Sequence, residues 1–300
     1  MTPWLLALVA LVAPAQGKDV TKGPHVVVLG IAQDAGHPQA ACAKDCCKAA
    51  WDDPSKRHLV ASLGIRDGDR VWLVDATPSL PDQLNDLTTS GQSLAGILLT
   101  HGHMGHYTGL LHLGREVMGA DDVPVYAMPR MAGLLMGSEP WALLGRLNHI
   151  DVRLISADQP IELSEQVKAT PFLVPHRDEL SETVGWRIEG PKHSIAWLPD
   201  IDKWSKWDTP VEELIASVDV AFLDATFYAD GEISRDISEV PHPFVVETLE
   251  RLEDRPELLK KVRLVHLNHT NPLLDPTSEA FRVTRKRGLV VATEGEVHPL

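Results

Sequence analysis

The sequence predicts a layered α/β domain, and three observations support that prediction. Short apolar runs alternate with helical stretches from Pro24 to the end of the chain, as expected for interleaved strands and helices. The 300 residues are 44% apolar and 23% charged, which is an ordinary balance for a globular protein. No repeat or linker interrupts the pattern, so we expect residues 24–300 to form one domain.

Individual elements follow from apolar runs bounded by turn residues. Strands are predicted at residues 25–30, 59–65, 70–75, 96–100, 123–127, 152–155, 170–174, 183–188, 194–198, 218–223 and 262–267. The second and third strands flank an Asp67-Gly68 turn, which predicts a hairpin. Helices are predicted at residues 80–87, 105–118, 129–137, 210–216 and 243–249.

The first 17 residues predict a secretory signal peptide. An apolar run from Trp4 to Val12 is followed by Ala13-Pro14-Ala15 and then by polar residues, which is typical of such a leader. The run is too short to span a bilayer. We therefore expect an exported protein, either periplasmic or secreted.

The charge balance restricts the class of partner. Lys and Arg number 28 against 42 Asp and Glu, for a net charge of −14. A nucleic-acid or anionic-membrane surface requires clustered cations, so we expect neither partner. A small-molecule substrate is expected, and the sequence does not indicate an oligomeric state.

A histidine motif follows the predicted strand at residues 96–100. His101 and His103 are two residues apart at the end of an extended segment, so their side chains point the same way. His106 follows at the start of a predicted helix. Neutral imidazole is the commonest protein ligand of zinc, copper and iron, so the motif indicates a metal site.

Three later segments place ionisable residues at strand ends. His176 follows one strand, Asp200 follows another, and the segment from His266 to His269 follows a third. Strand ends on one rim of an α/β domain are the usual place for a site of this kind. These residues strengthen the prediction of a metal site.

The motif THGHMGH, followed by separated His, Asp and His residues, resembles the metallo-β-lactamase superfamily, whose motif is HxHxDH. The segments LGIAQDAGHPQAACAKDCC, HYTGLLHLG, FLDATF, VPHPF and HLNHTNPLL are similar to the PQQ-biosynthesis protein B group of that superfamily. The resemblance covers residues 24–300 and implies a four-layer αββα sandwich.

The resemblance also implies a set of ligands. His101, His103 and His176 would hold one metal ion, His106 and His266 a second, and Asp200 would bridge the two ions. Asp75 matches a carboxylate that orients the ligand histidines. His242 falls where the phosphodiesterase branch of the superfamily has a histidine that protonates the leaving group. Asp224 is expected either to orient His242 or a ligand, or to act only as a strand-end or capping carboxylate.

This chain departs from the motif at one position. Gly105 stands where the superfamily has an aspartate that binds the second metal ion. Asp200 would then be the sole carboxylate ligand. The site would either hold one ion or recruit His269 as a substitute. His269 is equally compatible with a ligand, with a residue that supports a ligand, and with a bystander.

The three cysteines, Cys42, Cys46 and Cys47, fall where the resembled group has a zinc-binding loop. Together with His37 or Asp45 they would complete a tetrahedral site. The alternative is a disulfide between Cys42 and one of the adjacent pair, which would leave one free thiol.

The implied activity is that of a metal-dependent hydrolase in which a metal-bound hydroxide cleaves an ester, phosphodiester or amide-type bond. Zinc is the expected ion, one or two per site, with manganese or iron as alternatives. Two other functions remain open: an iron-dependent oxidase or oxygenase, and a non-catalytic metal-binding protein.

Overall fold

The computed structural model describes residues 23–88, 91–234, 236 and 241–300. The predicted signal peptide at residues 1–17 lies outside the described residues. Among the described residues, no helix combines the length and apolar character needed to cross a lipid bilayer.

The strands of the described part of the chain form two sheets. They are β1 (His25–Gly30), β2 (Ser62–Asp67), β3 (Arg70–Val74), β4 (Ser93–Leu98), β5 (Val123–Ala127), β6 (Ile150–Leu154), β7 (Ile161–Glu162), β8 (Lys168–Leu173), β9 (Val184–Glu189), β10 (Ser194–Leu198), β11 (Val220–Asp224), β12 (Val262–Val265), β13 (Val290–Val291) and β14 (Val297–Pro299).

Each sheet contains an antiparallel part and a parallel part. The first sheet has the order β14-β1-β2-β3-β4-β5-β6. Its strands pair antiparallel from β14 to β3 and parallel from β3 to β6. The second sheet has the order β13-β12-β11-β10-β9-β8-β7. It is parallel from β13 to β10 and antiparallel from β10 to β7.

Helices flank the two sheets. They are α1 (Asp45–Asp52), α2 (Leu80–Leu87), α3 (Met104–Tyr107), α4 (Pro129–Gly137), α5 (Trp141–Arg146), α6 (Val211–Ala216), α7 (Val245–Leu252), α8 (Pro256–Leu259) and α9 (Glu279–Lys286). Apolar residues of α2, α4 and α5 pack on the first sheet. Those of α6, α7 and α8 belong to the cluster that includes the second sheet. The predicted αββα sandwich is therefore confirmed.

The main core lies between the two sheets. Trp72 of β3 belongs to the same apolar cluster as Trp186 of β9 and Trp197 of β10, and all three side chains are fully buried. Burial of large side chains is the main term that stabilises such a sandwich. Because the sheets are fixed by this core, the loops at the strand ends have a rigid base.

One predicted helix has a different form. The helix expected at residues 105–118 is instead the short α3 followed by a 3₁₀ helix at Thr108–Leu113. Gly109 explains the change. Its N–H donates to the carbonyl of Ala76 at 2.9 Å, so this N–H does not make the hydrogen bond that a continuous α-helix would require. A Cβ at Gly109 would lie 2.0 Å from the carbonyl oxygen of Thr77, so the chain passes close to the loop after β3.

Candidate metal centre

A first cluster consists of His101, His103, His176 and Asp200, whose ligand atoms lie within 4.8 Å of one another. His101 and His103 follow β4, His176 follows β8, and Asp200 follows β10. His101 Nε2 is 2.9 Å from His103 Nδ1, and His176 Nε2 is 3.3 Å from the same atom. Asp200 is 3.2 Å from His101 and 3.3 Å from His176. The structure thus brings together the residues predicted for the first ion.

The hydrogen bonds of these rings leave lone pairs facing one another. Thr100 Oγ1 donates to the Asp75 carboxylate, so it accepts from His101 Nδ1 at 3.0 Å, and His101 Nε2 carries no proton. His103 Nε2 lies 3.1 Å from Glu179, so its Nδ1 is also an acceptor. Two acceptors 2.9 Å apart repel unless a cation or a proton lies between them. Ligand atoms on a tetrahedral zinc lie about 3.4 Å apart. The contacts of 3.2 and 3.3 Å match that spacing, and the 2.9 Å pair is shorter than it.

The protonation states support the same conclusion. Burial, with a further contribution from His106, lowers the pKa of His101 well below its usual range. Burial also lowers the pKa of His176 to about 4. Burial alone would raise the pKa of Asp200, but the neighbouring histidines, led by His176, hold it well below the usual value. Neutral imidazoles beside an ionised carboxylate are the form in which these groups bind a metal ion.

A second cluster consists of Asp34, His106, Asp200 and His266. His106 Nε2 lies 3.2 Å from Asp34 Oδ1 and 3.5 Å from Asp200 Oδ2. His266 Nε2 lies 3.7 Å from Asp200 Oδ2 and 3.9 Å from Asp34 Oδ1. Asp200 belongs to both clusters, as predicted. Asp34 was not predicted from the sequence, because Gln33-Asp34-Ala35-Gly36 has the composition of an ordinary turn.

Buried polar atoms of the second cluster lack hydrogen-bond partners among the described residues. They are Asp34 Oδ1, His106 Nε2 and His266 Nε2. Leaving such groups unpaired is costly in a folded protein. Their convergence fits a second cation better than it fits a polar core.

Asp75 and Thr100 hold the histidines that follow β4. Asp75 accepts from His106 Nδ1 at 2.7 Å and from the Thr100 hydroxyl at 2.9 Å. Thr100 in turn contacts His101, so one carboxylate orients one ring directly and a second through a threonine. The predicted position of Asp75 behind the ligand histidines agrees with this arrangement.

Asp224 and Thr226 repeat the arrangement on the second sheet. Asp224 accepts from His242 Nδ1 at 2.8 Å and from the Thr226 hydroxyl at 2.7 Å. Thr226 Oγ1 lies 2.9 Å from His266 Nδ1 and therefore accepts its proton. Asp224 is thus placed to orient both His242 and a candidate ligand. Thr100 and Thr226 were not predicted, because isolated threonines at strand ends are common.

His242 lies beside both clusters. It is 1% exposed, its Nδ1 is 3.2 Å from Asp200, and its Nε2 has no partner among the described residues. Burial alone would lower the pKa of His242, but Asp224 and Asp200 raise it to about 8. The imidazole therefore carries a proton near neutral pH, with a free nitrogen beside the site.

A separate cysteine cluster consists of Cys42, Cys46, Cys47 and His269. His269 Nδ1 lies 3.5 Å from Cys46 Sγ and 3.3 Å from Cys47 Sγ, and the sulfur atoms of Cys42 and Cys46 are 3.9 Å apart. All three cysteines are free thiols, so the alternative disulfide is not formed. Three thiols and an imidazole are a ligand set of structural zinc sites.

Two alternatives that the sequence left open do not match this arrangement. The fourth group of the cysteine cluster is His269, and neither His37 nor Asp45 belongs to it. The His37 ring instead contacts the carbonyl of Cys46 at 2.9 Å. Consequently, His269 does not take the place of the missing motif aspartate. His266 has a φ of 64°, and three residues later His269 lies with the cysteines and not in the second cluster.

The cysteine cluster lies next to the backbone that carries the second cluster. Gln33 N–H donates to the carbonyl of Leu267 at 2.9 Å, and Leu267 N–H donates to the carbonyl of Ile31 at 2.8 Å. The segments that bear Asp34 and His266 are therefore paired directly. The cysteine cluster joins the same two segments a few residues further along.

Replacing Cys46 with serine is expected to lower the melting temperature and to remove one zinc ion per protomer. A metal ion at the cysteine cluster would stabilise the folded state through its binding energy. Elemental analysis and calorimetry measure both effects. Ser55→Ala, at an exposed position on the following segment, is the control. An unchanged zinc content in Cys46→Ser would show that the cluster holds no ion.

Comparisons with known proteins agree with this architecture. The chain belongs to the β-lactamase superfamily, because the family model described as "Beta-lactamase superfamily domain" matches residues 70–268. Within that class, the chain is similar to coenzyme PQQ synthesis protein B of Xanthomonas campestris pv. campestris (strain B100). The two are 26% identical over 305 residues, covering 90% of this chain and 98% of the relative. The PqqB-like, metallo-β-lactamase-fold character predicted from the motifs is confirmed.

Solved structures show the same fold. Zinc-bound PqqB from Methylobacterium extorquens has a TM-score of 0.76 at 23% identity, over 92% of this chain and 100% of its own. A diphosphatase of the PhnP family has a TM-score of 0.67 at 22% identity, over 92% of this chain and 96% of its own. The candidate clusters of the chain itself support metal binding.

Proposed function

We propose that the protein is a metal-dependent hydrolase with a two-ion centre, and that zinc is its preferred metal. The observation that carries the proposal is the meeting of two ligand clusters at Asp200. The first ion would be held by His101, His103 and His176. The second would lie among His106, His266 and the remaining groups of the second cluster. Such a cation lowers the pKa of a coordinated water and polarises the scissile group.

The residues around the clusters supply positioning and a proton. Asp75 and Asp224 each fix the tautomer of one histidine directly, His106 and His242 respectively. Each also fixes a second histidine through a threonine, His101 through Thr100 and His266 through Thr226. His242 is placed to donate the proton from its Nε2 to a leaving group. Its raised pKa, about 8, suits a general acid at neutral pH.

A general acid of this kind suits phosphodiesters, which are one of the candidate substrate classes. An alkoxide leaving group departs slowly unless it is protonated, and His242 meets that requirement. The PhnP-family diphosphatase among the structural neighbours is named for phosphate chemistry. Esters and amides remain the other candidates. The net charge of −14 supports a small molecule rather than a nucleic acid or a membrane as the partner.

Assays of the purified chain after metal removal test the proposal. Zinc, manganese or iron(II) is restored separately, and hydrolysis of bis(p-nitrophenyl) phosphate, p-nitrophenyl acetate and a chromogenic β-lactam is followed. We expect phosphodiester cleavage that depends on restored metal and is fastest with zinc. Hydrolysis that is unchanged after metal removal would contradict the proposal, as would the absence of turnover with every ion.

An iron-dependent oxidase is the second candidate function. The observation that supports it is the similarity to coenzyme PQQ synthesis protein B, a relative named for the synthesis of a coenzyme. An oxygen electrode in the iron-restored assay separates the two functions. Oxygen uptake without phosphodiester cleavage would favour the oxidase.

We also propose that the protein acts in the periplasm or outside the cell. The support is the apolar leader at residues 1–17. Mass spectrometry of the protein from its native host is expected to show a mature chain that begins near Lys18. An intact Met1 would contradict export through this leader.

A further inference from the structure

The position of the missing motif aspartate is already filled by another part of the chain. Gly105 lies in α3, between His103 and His106. A Cβ built on Gly105 would lie 2.2 Å from Asp34 Oδ1, 2.4 Å from Asp34 Cα and 2.8 Å from Asp34 Cβ. No side chain fits at residue 105 while Asp34 keeps this position.

Asp34 is held there by the loop that follows β1. The Gly36 N–H donates to the carbonyl of Gln33 at 2.7 Å and closes a turn around Asp34. Gln33 is fixed in turn by its bond to Leu267. The Asp34 side chain is 24% exposed, but its Oδ1 is buried and has no hydrogen-bond partner among the described residues.

The Oδ1 atom of Asp34 is directed at the second cluster. It lies 3.2 Å from His106 Nε2 and 3.9 Å from His266 Nε2. Both rings already give their Nδ1 protons elsewhere, His106 to Asp75 and His266 to Thr226. Their Nε2 atoms therefore present lone pairs toward the carboxylate. Lone pairs beside an ionised oxygen require a cation or a proton among them.

We propose that Asp34 is the carboxylate ligand of the second metal ion, and that Gly105 is glycine because Asp34 occupies the space of the motif side chain. The ligand has moved from the helix after β4 to the loop after β1. The proposal rests on the metal centre proposed above and identifies the group that completes it. It predicts that a side chain at residue 105 and the aspartate at residue 34 exclude each other.

One alternative needs no metal ion. A proton on His106 Nε2 would form an ion pair with Asp34 in a permanently charged imidazolium. Replacing Asp34 would then weaken folding but leave the metal content unchanged. Metal content therefore separates a ligand from an ion-pair partner.

The experiment is a four-variant metal titration of the full chain. The variants are Asp34→Asn, Gly105→Asp, the double exchange Asp34→Gly with Gly105→Asp, and Gly133→Ala. Gly133 lies in α4, and nothing lies within 4 Å of its Cβ position, so this last variant is the matched control. Elemental analysis gives ions per protomer. Cobalt substitution reports the cysteine cluster separately, through its thiolate-to-metal absorption.

We expect Asp34→Asn to lose one ion relative to the wild type, or to bind it at least 100-fold more weakly. Loss of a residue that only supports a ligand typically lowers metal affinity about 10–100-fold, and loss of a ligand should cost at least as much. Gly105→Asp is expected to lose the same ion because the two side chains collide. The double exchange is expected to regain it, and Gly133→Ala to match the wild type. Cobalt absorption of the cysteine cluster should be equal in all four variants.

Retention of the full metal content and affinity by Asp34→Asn would overturn the proposal and leave only the ion pair. If the double exchange does not fold, as judged by circular dichroism, the two single variants decide. The outcome is independent of the substrate. Metal contents that follow this pattern in a protein that hydrolyses nothing would retain Asp34 as the ligand and reject the hydrolase.

Discussion

Replacing Asp200 with asparagine is expected to remove both ions of the centre and to lower kcat/KM for a phosphodiester by about a thousandfold or more, the upper range for loss of one electrostatic group at a reaction centre. Asp200 Oδ2 lies 3.2 Å from His101 and 3.5 Å from His106, so one oxygen faces both clusters, and Oδ1 lies 3.3 Å from His176. The asparagine amide keeps the shape of the aspartate side chain but removes the negative charge that both proposed ions share. Elemental analysis and steady-state kinetics measure the two losses.

Asp202 provides a matched control for this substitution. It lies in the same loop, is 7% exposed and pairs with Lys206 at 2.8 Å instead of with a cluster histidine. Asp202→Asn is therefore expected to retain the ions and most of the activity. An Asp200→Asn protein that holds the wild-type complement of metal would refute the shared-ligand interpretation.

Replacing His242 with glutamine is expected to lower kcat for an alkyl phosphodiester by about 10²–10⁴-fold, the range for loss of a general acid. The metal content should not change, because His242 is not among the proposed ligands. A p-nitrophenyl ester, whose leaving group departs without a proton, should lose much less. This dependence on the leaving group separates proton donation from a structural effect.

The pH profile gives a second test of the same residue. Burial would lower the pKa of His242, but Asp224 and Asp200 raise it to about 8, so the ring is protonated below that pH and neutral above it. Cleavage of the alkyl phosphodiester should therefore decline as the pH rises through about 8, and His242→Gln should lose that decline. His149→Gln, whose ring contacts the carbonyl of Ala120, is the control. Equal losses for both leaving groups would argue against the acid role.

Much of the site was predictable because its residues sit at the ends of strongly apolar strands. His101, His176 and Asp200 each follow a run that reads as a buried strand, and the fold brings those ends together. Asp34 was not predictable, because its relation to Gly105 is a contact in space between residues distant in sequence. No local property of the turn at Asp34 distinguishes it from other turns.

The errors have similar physical causes. His269 was considered for the second ion because it lies three residues from His266. The backbone at His266 is left-handed, however, and such a φ cannot be read from a histidine in the sequence. The helix expected at residues 105–118 was too long because Gly109 bonds to the loop after β3, which is again a tertiary contact.

The paired Asp–Thr–His contacts have a consequence for how the centre acquires its ions. Thr100 and Thr226 fix the direction of their rings while the protein folds, so an arriving cation does not have to order them. The side-chain entropy of those histidines is lost during folding, so its loss does not weaken metal binding. At either threonine, serine keeps the bridging oxygen and valine removes it. The difference in metal affinity between the two variants would measure how much the prior orientation of the histidine ring contributes.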